Sequence, residues 1–140
     1  MSKLIMLVGL PNTGKTTYAK LCRLNNSNFV VVSYDLLEIE EFGYLKRLID
    51  NKSKFIIDKA KQIIVKNLKE GRTVIYDELN ITKKDRADVI SYVKENIEEI
   101  EIDCIYFQKK FASSYWLFNG FDNLEPPCII EGFNSIERRG

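Results

Sequence analysis

A glycine-rich turn follows an apolar run near the start of the chain, and this pairing constrains the fold more than any other feature. The run Lys3–Val8 is short, continuous and apolar after its first residue, which is typical of a strand buried on both faces. It leads into Gly9–Thr16, which matches G-x-x-x-x-G-K-[ST] at every fixed position. Glycines let the backbone turn tightly, so that successive N–H groups point at phosphate oxygens. The sequence therefore predicts a strand, a phosphate-binding loop and a helix.

The loop also predicts which groups hold a nucleoside triphosphate. We expect Lys15 to reach the β- and γ-phosphates, Thr16 to ligate Mg²⁺, and Thr17 to touch the α-phosphate. The first turn of the following helix adds a partial positive charge. A chance match in a chain of this length is on the order of one in a few hundred. The expected nucleotide-binding residues are Gly9, Pro11, Asn12, Thr13, Gly14, Lys15, Thr16 and Thr17.

Further apolar runs alternate with helical patterns along the chain. Strands are predicted at 29–32, 73–76, 101–107 and, for a short fifth, near Asn134–Glu137. Helices are predicted at Lys15–Leu24, from about Tyr44 to Glu70, and from Thr82 onward with Ala87, Ile90, Val93 and Ile97 facing inward. Strands that alternate with helices indicate βαβ units. We therefore expect one α/β domain over residues 1–140, a five-stranded parallel sheet with helices on both faces.

Composition excludes several kinds of chemistry. The chain has no histidine, which removes Ser-His-Asp and Cys-His catalysis and His-ligated metal sites. Its net charge of +1 gives no general attraction to nucleic acid or to an anionic membrane. Cys22, Cys104 and Cys128 are far apart, and we interpret them as small buried hydrophobic residues in a reducing, cytoplasmic compartment. No apolar run reaches the ~18 residues of a membrane span, so no membrane partner is expected.

Two carboxylates follow predicted strands. Asp77 ends the third strand, and Asp35 follows the second strand closely. Ligands of open α/β sheets lie beyond the carboxyl ends of the strands, so both acids should face the crevice of the phosphate loop. Asp77 is expected to hold Mg²⁺, and Asp35 to accept the proton of an attacking hydroxyl. The alternative for Asp35 is a helix N-cap, whereas Glu40 and Glu41 fit a solvated acidic face.

The order of these motifs resembles a known family. Besides the loop and Asp35, the chain contains Asp77-Glu78-Leu79-Asn80 with Arg86 six residues on, and Glu125-Pro126-Pro127 followed by Glu131-Gly132-Phe133. The chain is similar, from Leu4 to Glu137, to the kinase domain of polynucleotide 5′-hydroxyl kinases and to the small P-loop kinases grouped with them. The resemblance implies that Asp35 activates the acceptor hydroxyl and that Asp77, Asn80 and Arg86 support the site.

Two departures from the family pattern bear on the acceptor and on the rate. Glu38 stands where polynucleotide kinases place an arginine that holds the acceptor's phosphate, and a glutamate there would repel it. The family lid carries arginines, but residues 109–120 contain none. Lys109 and Lys110 are the substitutes that the sequence offers, with a solvated strand end as the alternative. The aromatic residues of the lid either stack on bases or cover the sheet edge.

The resemblance and the residues together predict an ATP- and Mg²⁺-dependent kinase that transfers the γ-phosphate to a hydroxyl. A polynucleotide 5′-hydroxyl is the favoured acceptor. The expected catalytic residues are Lys15, Asp35, Arg86, Lys109 and Lys110, and the expected metal ligands are Thr16 and Asp77. One alternative is a nucleoside or sugar kinase, which Glu38 favours. Another is a nucleotide-binding module with weak or lost catalysis, which the lid without arginine favours.

Overall fold

Strands and helices alternate along the chain as the sequence predicts. The computed structural model describes residues 2–10, 13–43, 54–108 and 124–140. The strands are β1 (Lys3–Val8), β2 (Phe29–Val32), β3 (Thr73–Asp77), β4 (Glu101–Phe107) and β5 (Ser135–Arg139). The helices of these ranges are α1 (Lys15–Asn25), α2 (Tyr34–Phe42), α3 (Lys54–Lys69) and α4 (Lys83–Asn96), with a 3-10 turn at Ile129–Glu131.

All five strands form one parallel sheet in the order β2-β3-β1-β4-β5. The central strand β1 pairs with β3 on one side, where Leu7 lies opposite Asp77, and with β4 on the other side. The five-stranded parallel sheet predicted from the sequence is thereby confirmed. Since every strand runs in the same direction, the loops after β1, β2 and β3 open at one edge of the sheet.

Helices cover both faces of the sheet, which was the second part of the fold prediction. Leu4, Met6 and Val8 of β1 belong to a core cluster that includes buried residues of α3 and α4. The intervening residues Ile5 and Leu7 belong to a second cluster on the other face, with α1. Successive side chains of a strand point to opposite faces, so one apolar run supplies both cores.

Two burial predictions need correction. The run at 29–32 predicts burial on both faces, but only Val32 is buried, because β2 lies at the edge of the sheet. Ala87 was expected to face inward and is exposed. The inward face of α4 instead carries Arg86, Val89, Ile90 and Val93, a complete i, i+3, i+4, i+7 stripe that begins with a charged residue.

The remaining differences concern one helix, several boundaries and one cysteine. Helix α2 was not predicted from the sequence. The long helix expected from Tyr44 is described from Lys54 onward, and the positions before Lys54 in that prediction lie outside the described residues. Strand β5 begins and ends slightly later than predicted. Cys104 is buried, Cys22 is half-buried, and Cys128 is exposed, so the expectation of burial is wrong for Cys128, which starts the 3-10 turn. No helix in the described ranges is long and apolar enough to cross a membrane.

Candidate active site

The two fixed glycines of the phosphate loop occupy positions that a side chain would disturb. A Cβ on Gly9 would lie 3.0 Å from the carbonyl oxygen of Phe107 on β4. The Gly9 N–H donates to the carbonyl of Leu79 at 3.0 Å, which ties the loop to the segment after β3. Gly14 has a φ of 101°, in the left-handed region, immediately before α1. The backbone of the loop therefore requires the glycines that the motif contains.

Lys15 is buried at the start of α1, with 6% of its surface exposed. Its Nζ donates to the carbonyl oxygen of Leu10 at 2.9 Å, and the hydroxyl of Thr13 donates to the same oxygen at 2.7 Å. Burial lowers the pKa of Lys15, while the negative charges of Asp77 and Glu78 oppose that shift. The ammonium is therefore held inside the loop beside carboxylates. Pro11 and Asn12 lie outside the described residues.

The two predicted metal ligands lie next to each other. The Thr16 hydroxyl donates to Oδ2 of Asp77 at 3.0 Å, because pairing of β1 with β3 brings the loop beside the end of β3. Burial raises the pKa of Asp77, and the hydrogen bond from Thr16 and the charges of Lys15 and Lys20 oppose the rise. One carboxylate and one hydroxyl suit Mg²⁺, which keeps several waters and binds phosphate oxygens as its other ligands.

Most of the described residues of the predicted site line one crevice. Its volume is about 890 Å³, and it lies between α1, the end of β2, the start of α2 and the segment after β3. Lys15, Thr16, Thr17, Asp35 and Asp77 all line it. The structure thus brings the phosphate loop, the two metal-ligand candidates and the proposed proton acceptor to one cavity.

Asp35 does not cap α2. The N-cap is Ser33, whose side-chain oxygen accepts a hydrogen bond from the Leu36 N–H at 3.2 Å. Asp35 lies in the first turn of the helix, is exposed and lines the crevice. The capping interpretation is therefore wrong, and Asp35 forms part of the crevice wall.

Glu38, which the sequence suggests as a neighbour of the acceptor, is buried. Its side chain is fully buried, whereas Asp35, three residues earlier, is exposed. The described lining of the crevice does not include Glu38. The expected repulsion of an acceptor phosphate by this glutamate therefore has no support in the structure. Glu40 and Glu41 are exposed, as predicted.

Arg86 lies behind the phosphate loop and not in the crevice. It is fully buried, and its guanidinium donates from Nε and Nη2 to the two carboxylate oxygens of Glu131 at 2.8 and 3.1 Å. Its Nη1 donates to the carbonyl of Asn80 at 2.8 Å, and the Asn80 amide donates to the carbonyl of Leu7 at 2.8 Å. This Arg86 network joins the D-x-x-N…R and E-G-F motifs, so Arg86 supports the loop from behind through Asn80.

Two basic residues of the crevice belong to none of the sequence motifs. Lys20 and Arg23 lie on α1 and line the cavity together with Asp35. The available signal is their i, i+3 spacing, which places both on one face of the helix. Their position in the same cavity as Asp35 depends on tertiary packing, which no motif encodes. Lys109 and Lys110, with the rest of the predicted lid, lie outside the described residues.

Solved structures with a similar fold are small P-loop kinases and their relatives. A chain of the Pnkp1/Rnl/Hen1 complex is 26% identical, with a TM-score of 0.64, over 78% of this chain and 36% of that chain. Kti12 of Chaetomium thermophilum, in complex with ADP-AlF3, is 17% identical, with a TM-score of 0.64, over 98% of this chain and 88% of that chain. A fungal RNA kinase is 15% identical, with a TM-score of 0.65, over 100% of this chain and 38% of that chain.

These matches confirm the resemblance to polynucleotide kinases and related P-loop kinases that the motifs predict. The chain spans only 36% of the Pnkp1/Rnl/Hen1 chain and 38% of the fungal RNA kinase. The comparison with curated proteins gives no match. The family model of chromatin associated protein KTI12 matches residues 1–113. Because this match covers most of the sequence and includes the whole phosphate loop, the chain belongs to the KTI12 family.

Proposed function

We propose that this protein binds ATP with Mg²⁺ and transfers the γ-phosphate to a hydroxyl group, with a polynucleotide 5′-hydroxyl as the favoured acceptor. The observation that carries the proposal is the shared crevice of Lys15, Thr16, Asp77 and Asp35. The likeness to a Kti12 that holds ADP-AlF3 supports nucleotide binding, and the likeness to an RNA kinase supports a nucleic-acid acceptor. A cytoplasmic location remains part of the proposal.

In this proposal each group has a defined task. The Lys15 ammonium leaves the Leu10 carbonyl and offsets charge on the β- and γ-phosphates, as the loop N–H groups hold their oxygens. Thr16 and Asp77 would hold Mg²⁺, which would neutralise charge on the phosphates. The acceptor oxygen bonds to the γ-phosphorus, the bond to the β–γ bridging oxygen breaks, and ADP leaves. Asp35 takes the proton of the acceptor hydroxyl.

A nucleotide-binding protein with slow or no transfer is the second candidate. The observation that favours it is the full burial of Arg86 and its pairing with Glu131. An arginine that clamps the transferring phosphoryl group is worth about 10³–10⁵ in rate. With Arg86 engaged behind the loop, Lys109 and Lys110 are the proposed substitutes. A nucleoside or sugar acceptor loses part of its support, because Glu38 is buried and is absent from the described lining of the crevice.

The test is transfer of radiolabelled γ-phosphate from ATP to 5′-hydroxyl oligonucleotides, nucleosides and sugars. Asp35→Asn should bind Mg²⁺-ATP normally but lose transfer by about 10²–10⁴, because the amide cannot accept the proton. Glu40→Gln is the matched control, since Glu40 is exposed on the same helix. Transfer by Asp35→Asn at the unaltered rate would contradict the assignment. Tight ATP binding by the unaltered protein without transfer to any acceptor would favour the second candidate.

A further inference from the structure

The crevice wall formed by α1 is cationic. Lys20 and Arg23 both line the cavity that holds Asp35, although the net charge of the whole chain is only +1. Lys20 lies one turn of α1 beyond Thr16, whose hydroxyl donates to the Asp77 carboxylate, so Lys20 is on the same helix face as the metal-ligand candidate. A pair of cations on one wall of a cavity raises the local concentration of anions there.

Arg23 lies too far along α1 to serve the phosphates of the loop-bound nucleotide. The helix rises 1.5 Å per residue, so Lys20 is about 8 Å and Arg23 about 12 Å beyond Lys15 along its axis. The β- and γ-phosphates of a nucleotide in the loop would lie at the N-terminal end of α1, beside Lys15. The two cations therefore lie at increasing distances from the expected γ-phosphate position, along the wall of the crevice.

The same part of the crevice has an apolar rim. Leu24 of α1 is 81% exposed and Leu36 of α2 is 46% exposed, and both line the cavity. The volume of about 890 Å³ is near the upper end of ligand cavities, about 300–1,000 Å³, which is enough for an acceptor beside nucleotide phosphates. Apolar contacts, two cations and the Asp35 carboxylate match a molecule with a flat base, a phosphate and a free hydroxyl.

We propose that Lys20 and Arg23 form an anion subsite, which binds a phosphate group of the acceptor close to its reacting hydroxyl. The acceptor class is then a nucleoside that carries a phosphate beside a free 5′-hydroxyl, either as a free nucleotide or at the end of a nucleic acid. The subsite supplies from α1 the positive charge that the family pattern places at position 38. Its role in transfer rests on the proposed function, whereas binding can be measured without turnover.

The experiment is equilibrium binding by the full chain, saturated with Mg²⁺ and a non-hydrolysable ATP analogue. The probes are adenosine, adenosine 3′-phosphate and a 5′-hydroxyl tetranucleotide. The unaltered protein should bind adenosine 3′-phosphate at least tenfold more tightly than adenosine. The double variant Lys20→Ala/Arg23→Ala should bind the two equally. The matched control is Lys66→Ala/Lys69→Ala on α3, which removes the same charge at the same spacing from exposed positions.

Each outcome separates the subsite from the proposed reaction. Equal binding of adenosine and adenosine 3′-phosphate by the unaltered protein, or an equal loss in both double variants, would overturn the subsite. A preference for the tetranucleotide over adenosine 3′-phosphate identifies a nucleic-acid end as the source of the phosphate, and equal binding identifies a free nucleotide. Phosphate-dependent binding without transfer would overturn the reaction and leave the subsite standing. If the double variant fails to fold, Arg23→Gln alone should reduce the phosphate preference at least threefold, and an unchanged preference would overturn the subsite.

Discussion

Asp77 shows at the level of one residue how function opposes stability. Burial raises its pKa, so the folded protein binds the proton more readily than the unfolded chain does. Stability therefore falls as the pH rises from the ordinary value of 3.8 through the raised value, and the loss is complete above it. In the proposed function, Mg²⁺ bound to Asp77 would offset the cost of ionising this buried carboxylate.

We accordingly expect Asp77→Asn to be at least as stable as the unaltered protein at pH 7, with a flatter pH dependence above pH 4. The amide oxygen still accepts from the Thr16 hydroxyl, so the local geometry is kept. Mg²⁺-dependent ATP affinity should fall at least tenfold. Urea unfolding between pH 4 and 8 with and without Mg²⁺-ATP measures both effects. A lower free energy of unfolding at pH 7 would show that the ionised Asp77 stabilises the fold.

The sequence predicts individual residues well where one short segment determines their place. The glycines of the loop, Lys15 and Thr16 follow from a local motif, and the parallel sheet then places Asp77 beside them. The exposure of Asp35 and the burial of Glu38 were harder to predict, because both depend on the rotation of α2 about its axis. That rotation depends on the Ser33 cap and on the packing of Leu37, which no spacing rule contains.

At the level of elements, the Arg86 network fixes α4 and the 3-10 turn behind the phosphate loop. Arg86 and Glu131 make a bidentate pair in which the arginine is fully buried. Breaking a buried pair by removing one partner costs about 3–5 kcal/mol, because the other charge stays buried without compensation. The pair of Glu137 and Arg139 on β5 lies at the surface, where such a pair is worth about 0–1 kcal/mol.

We therefore expect Glu131→Gln to lower the free energy of unfolding by about 3 kcal/mol and Glu137→Gln by less than about 1 kcal/mol. Chemical denaturation of the two single variants gives the comparison directly. Replacing both buried partners, as Arg86→Met/Glu131→Leu, should recover much of the loss, since no charge remains buried. Equal effects of the two single variants would mean that the Arg86 network does not fix these elements.

The strands and the helices α1 and α4 follow from hydrophobic periodicity to within a few residues, whereas α2 was not predicted as a helix. The burial of an element cannot be predicted from its own periodicity, because burial depends on neighbours that are distant in sequence. Every residue of β2 is apolar, whereas β3 contains Thr73 and Asp77, yet β2 is the less buried strand because it lies at the sheet edge. Helix α4 turns a charged residue, Arg86, inward because Glu131 and the Asn80 carbonyl receive its guanidinium.

At the scale of the whole molecule, the crevice joins elements from both halves of the sequence, so ligand binding should stabilise the entire fold. A ligand at 100 times its Kd adds about 2.7 kcal/mol to the free energy of unfolding. For a chain of 140 residues this corresponds to a rise in Tm of about 10 °C. In the proposed function this effect requires Lys15, whose ammonium is held inside the loop.

We expect Lys15→Ala to fold, because burial lowers the pKa of Lys15 and its charge therefore costs stability in the free protein. ATP affinity should fall at least tenfold, about 1.4 kcal/mol. At the concentration that raises the Tm of the unaltered protein by about 10 °C, the variant should then gain about half as much. Thermal unfolding with and without Mg²⁺-ATP measures the shift, with Lys66→Ala as the control for a lost surface charge. An undiminished shift in Lys15→Ala would mean that the nucleotide binds elsewhere than in the loop.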